Sequence, residues 1–261
     1  MTTLRTETGA VDVEAAFAYP LRLGDDALIA AQRTIQWCTR APQLEEDVAL
    51  ANIALDLLGQ ARALLAHAGE LEGRGRDADA LAFLRDEGEF GNVQLVELDN
   101  GDFAVSMAKL LFFATYQELL YGELTASRDR TLAALAAKAV KESVYHADHA
   151  ASWVVRLGDG TEESHRRMRD AVALVWPYTH ALFVPDAIDE AASARGTGPD
   201  PATLRAPWLQ RVQRTLAEAM LTLPDDDWTP AGGRQGLHTE AFGPLLAEMQ
   251  SLHRAHPGAR W

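Results

Sequence analysis

Apolar residues recur along most of this 261-residue chain at intervals of three and four, the spacing of helices that bury one face. Leu28, Ile29, Ile35 and Trp37 predict a first helix running to about Cys38, with Asp25 as its N-cap. Residues 1–18 ahead of it read as a flexible arm, closed by Tyr19-Pro20. A second helix, about Glu45 to Leu71, opens on Glu45, Glu46 and Asp47, where the helix dipole favours acids. Leu50, Ile53, Leu57, Leu58, Leu64 and Leu65 supply its buried stripe, and the Gly73–Arg76 run ends it.

Residues 77–101 carry a mixed pattern, with a short helix at Ala78 to Arg85 and a turn at Asp99-Asn100-Gly101. Asp102 then caps a third long helix, about Phe103 to Ser127, and a fourth runs from about Arg130 to Leu157 before a Gly-rich stop. A fifth, Glu162 to Phe183, contains Pro177, which predicts a kink. A short helix near 186–194, a Gly-Pro linker at 196–201 and helices at about 207–223 and 238–255 complete the chain. The Asp225-Asp226-Asp227 run between the last two reads as a solvated loop. Several helices longer than 20 residues joined by short turns predict an all-α antiparallel bundle with additional C-terminal helices, one domain over residues 19–261.

Composition narrows the function classes. With 38 acidic and 24 basic side chains the net charge is −14, which opposes binding to nucleic acid or an anionic membrane. The single cysteine, Cys38, excludes an internal disulfide or a CxxC site and suits a cytoplasmic location; its place at the apolar end of the first helix predicts a buried, inert thiol. No uninterrupted apolar stretch reaches the roughly 18 residues of a membrane span.

A bundle of long helices raises the question of a two-metal carboxylate site, built from one Glu on each of two helices and a Glu-x-x-His pair on each of two others. Only Glu162 has a histidine three positions later, His165, and that pair lies in a charged first turn. The richest cluster is on the fourth helix, where Glu142, His146 and His149 share a face beside Tyr145. The second helix offers Asn52, Asp56 and Gln60, and the third Glu118 and Glu123. A carboxamide is a poor metal ligand beside an available histidine, so Asp56, Gln60, Glu118, Glu142, His146 and His149 read as a vestigial polar cluster. The alternative is an active di-metal oxygenase with a divergent site from the same acids and imidazoles. No nucleophile elbow, phosphate loop or dinucleotide fingerprint is present.

The stretches Leu21 to Asp26, Ala49 to Arg62, Lys141 to His146, Trp153 to Thr161, Gly236 to Glu240 and Leu246 to Gln250 resemble the C subunits of bacterial 1,2-phenylacetyl-CoA epoxidases. The likeness continues in order from about Tyr19 to Trp261. It implies a ferritin-like fold and a structural subunit of a ring-epoxidising monooxygenase in phenylacetate degradation. The implied partner is a homologous A subunit that holds a di-iron centre and does the chemistry; a reductase with flavin and iron–sulfur groups passes it electrons from NADPH. This chain is then expected to hold no cofactor, with Leu57 and Gln60 standing where a catalytic relative would show Glu-x-x-His. The resemblance also implies contact with the CoA ester at Glu89, Phe90, Gly91 and Asn92 and at Glu190, Ala191 and Ala192. Phe90, Asn92 and Ala191 match that pattern; the other four depart from it. Arg85 and Arg195 are the nearest basic residues for a phosphate.

Overall fold

The computed structural model describes the backbone of residues 4–225, 228–230 and 232–259, and within these ranges side chains from residue 16 onward. No β-strand occurs among the described residues. The helices are α1 (Leu4–Ile35), α2 (Leu44–Glu72), α3 (Ala78–Phe83), α4 (Gln94–Glu97), α5 (Phe103–Leu124), α6 (Arg130–Gly158), α7 (Glu162–Val175), α8 (Ala187–Arg195), α9 (Arg205–Glu218) and α10 (Phe242–Ala255).

Two antiparallel hairpins form the centre: α1 packs along α2, and α5 along α6. Short connections enforce both, and Asp129 caps α6 by accepting from the Thr131 and Leu132 amides. The segment between α2 and α5 cannot be short. Asp25, Asp26 and Arg33 bond in turn to Arg85, Val93 and the Glu97 carbonyl, so residues 85–97 climb alongside α1 in the same direction. This crossover carries the chain back up the bundle, so α2 and α5 run parallel while α2 and α6 run antiparallel, the topology of a ferritin-like fold.

Helix α5 is apolar on nearly every side, with Met107, Leu111, Phe112, Ala114 and Leu120 all buried, because α6, α7 and α9 cover it. Phe112, Trp176, Phe183 and Trp208 interlock at ring-centroid distances of 5.1–5.8 Å. The Trp208 indole also donates to the Phe112 carbonyl at 2.9 Å, fastening α9 to the centre.

The structure corrects several element boundaries. Residues 4–18 continue α1, with residues 1–3 outside the described range. Asp25 is no N-cap; it is fully buried in mid-helix with its carboxylate bonded to Arg85 and the Gly91 amide. An acid just ahead of an apolar run looks the same in sequence whether it caps a helix or meets a buried arginine. Cys38 is exposed, on a turn that begins once α1 has ended at Ile35. Pro177 opens a 3-10 segment, Trp176–Phe183, after α7. Of the acidic run at 225–227, only Asp225 lies within the described residues.

Candidate functional site

The face between the two hairpins is where a two-metal site would lie. Positions four apart on a helix stack on one side, so Asp56 and Gln60 on α2 meet His146 and Glu142 on α6. Gln60 Nε2 donates to Glu142 Oε2 at 3.0 Å, and Gln60 Oε1 accepts from Gln117 Nε2 on α5 at 3.3 Å. His146 Nε2 lies 3.2 Å from Asp56 Oδ2, and one turn away His149 Nε2 is 3.1 Å from Glu46 Oε2. Burial pushes both histidines below the ordinary imidazole value against the pull of their carboxylates, so both are neutral at pH 7. Lys138 at 3.1 Å neutralises Glu142 from outside.

These contacts form separate groups: the Gln117–Gln60–Glu142 chain, with Lys138 on Glu142, and the Asp56–His146 and Glu46–His149 pairs. Glu118 does not join them: it points away from the face and pairs with Arg211 of α9. Leu57, fully buried, fills the adjoining core position on α2. Among the described residues no group of three or more His, Cys, Asp or Glu side chains is placed to hold a metal ion. The residues present therefore do not fit a two-metal carboxylate site, since an amide occupies the centre and the α5 acid is diverted. His165, the other candidate, is hydrogen-bonded to the Gly158 carbonyl.

The second concentration of polar groups lies on the opposite side, along the crossover. Arg85, 2% exposed, binds Asp25 with both terminal nitrogens, donates to the Leu81 and Glu89 carbonyls, and lies 4.1 Å from the Phe90 ring centre. Arg234 makes a two-pronged contact with Asp26, at 3.0 and 2.8 Å, and a further bond of 2.8 Å to the Gly91 carbonyl. Arg22 reaches Asp186, the N-cap of α8, and Asp189 in its first turn. Glu97 accepts from Asn92 Nδ2 (2.9 Å), the Thr239 amide and His238 Nδ1 (2.8 Å).

The other nitrogen of His238 faces the Phe90 carbonyl at 3.1 Å, so both ring nitrogens meet acceptors and the ring is held as an imidazolium stacked on Phe242. Burial opposes that charge, but Glu97 outweighs it and His238 titrates above its ordinary value.

The two segments expected at the substrate flank this network. Phe90, Asn92 and Ala192 are buried, Glu89 and Glu190 exposed, and Gly91 and Ala191 half-buried. Arg22 and Arg234 separate the segments and are engaged as described. Arg85 is enclosed with Asp25 and has no nitrogen to offer a phosphate; Arg195 ends α8. Sequence reasoning missed Asp26, Glu97, Arg234 and His238. For Asp26 and Glu97 the one available signal is a charge placed in an otherwise apolar run; Arg234 and His238 lie in a Gly-rich stretch that carries no such signal.

A family model described as phenylacetic acid catabolic protein matches residues 1–261. The chain is also 49% identical over 244 residues, 94% of its length and 98% of the relative's, to the C subunit of the 1,2-phenylacetyl-CoA epoxidase of Escherichia coli (strain K12).

Proposed function

Because the chain belongs to the phenylacetic acid catabolic protein family, we propose that it is the non-catalytic scaffold subunit of a phenylacetyl-CoA 1,2-epoxidase, working in the cytoplasm. Its partner is a catalytic A subunit whose di-iron centre inserts oxygen into the aromatic ring, supplied with electrons by a separate reductase. The observation that carries the reading is the dispersal of the candidate ligands: Gln60 ties Glu142 to Gln117, Glu118 serves Arg211, and Leu57 fills the core. Any help to the CoA ester comes from the exposed Glu89 and Glu190 and the half-buried Gly91 and Ala191, with Phe90, Asn92 and Ala192 shaping the backbone behind them.

Reconstitution tests it. Epoxidation of phenylacetyl-CoA should require both chains and survive Glu142→Gln in this one. Turnover by this chain without the A subunit, or its loss in the Glu142→Gln complex, would contradict the scaffold role.

A further inference from the structure

Residues 90–93, in and just beyond the first segment expected at the CoA ester, belong to no helix, so their backbone groups need partners from elsewhere. Charged side chains supply them. Acids of α1 take the amides, Asp25 from Gly91 at 3.0 Å and Asp26 from Val93 at 2.8 Å. Cations serve three carbonyls: Arg85 donates to Glu89 (2.9 Å), His238 to Phe90 (3.1 Å) and Arg234 to Gly91 (2.8 Å).

Two of those cations come from one loop, residues 232–239, which lies against the crossover from Gly88 to Glu97. Gln94 Nε2 donates to the Leu237 carbonyl at 2.8 Å, and the Thr239 amide donates to Glu97. The loop is glycine-rich because the two backbones touch. A Cβ on Gly233 would stand 2.6 Å from the Asn92 carbonyl oxygen, and one on Gly236, at φ +75°, would collide with the Gly88 carbonyl. The segment is thus held atom by atom while Glu89 is exposed and Gly91 half-buried. Holding a binding edge in one conformation removes the ordering cost that a ligand would otherwise meet. We propose that the 232–239 loop positions the substrate segment, Arg234 and His238 fixing the Gly91 and Phe90 carbonyls so that the CoA ester meets a ready-made edge. The proposal rests on the scaffold reading and its substrate contact.

His238 makes this arrangement sensitive to pH. The imidazolium serves Glu97 and Phe90 together, whereas the neutral ring keeps one proton, which the Glu97 carboxylate holds, and the Phe90 carbonyl loses its donor. The ionisable groups acting on the ring are Glu97 and Glu87 of the crossover; α1 brings Arg33 to the Glu97 carbonyl, and α10 brings the Phe242 ring.

Two measurements test the proposal. In spectra of the full chain, the Phe90, Gly91 and Asn92 amide resonances should shift with the same midpoint as the His238 ring. In the reconstituted complex, KM for phenylacetyl-CoA should rise about five-fold through that midpoint relative to His238→Gln, with kcat unchanged, because binding alone is weakened. The Gln amide reaches the Phe90 carbonyl without titrating and should keep the low KM at every pH. The shorter His238→Asn, which reaches Glu97 only, should show the high KM throughout. Gly233→Ala, whose methyl pushes the loop off Asn92, should raise KM about ten-fold with unchanged circular dichroism. Segment amides that ignore the His238 titration, Asn and Gln variants with the same KM, or a fall in kcat in place of a rise in KM would overturn the positioning role. Failure of the scaffold reading looks different: it appears as turnover by this chain alone, and the amide titration still decides whether the loop controls the segment.

Discussion

The two polar regions of the bundle are built to different standards. Between the hairpins, Asp56, Gln60, Glu142 and His146 form loose pairs, the Asp56 side chain is 38% exposed, and the histidines are neutral. Along the crossover, Asp25, Asp26 and Glu97 are all buried and each meets a cation and at least one further hydrogen-bond donor. A buried charge is costly unless it is fully matched, so matching on one side alone locates what the fold depends on. The crossover groups hold a long irregular connection and the C-terminal segment against α1. The inter-hairpin groups, at the place where a ferritin-like enzyme would concentrate its acids, hold little.

Perturbing each side should expose the contrast. Arg85→Met leaves Asp25 buried without a counter-charge and should cost about 3–5 kcal/mol in chemical denaturation. Glu97→Gln, which weakens three bonds at once, should cost about 1.5–3 kcal/mol by the same measurement.

The imidazolium at His238 gives a third test. Its folded pKa lies above the unfolded value, so its stabilisation is complete below the ordinary imidazole range and disappears as pH rises through the raised value. Wild-type stability should therefore fall across that window relative to His238→Gln, whose own profile removes this one group; parallel profiles would refute the assignment. The smallest effect belongs to the other region: Asp56→Asn should cost less than about 1 kcal/mol, because its partner is neutral and solvent reaches the pair.

The two regions also differ in how far the sequence reveals them. Helix α2, the cap at Asp102 and the Gly73 stop are readable because apolar spacing and capping chemistry are local. Gln60 is readable as an inward position of α2 for the same reason, while its standing at a ligand position is what the family resemblance implies. The crossover is not, since the residues that fix it pair across 60 positions for Asp25–Arg85 and 208 for Asp26–Arg234. Glu118 is misassigned from sequence because two faces of the buried α5 are equally apolar, leaving no period to show which way an acid points. Cys38 is misread as buried because the helix ends at Ile35, short of where the apolar run suggests.

The scaffold reading turns on where iron resides. In crystals of this chain bound to its catalytic partner, an anomalous-scattering map at the iron edge should show peaks in the catalytic chain and none between Asp56, Glu142 and His146. An iron peak among those three side chains would contradict the account.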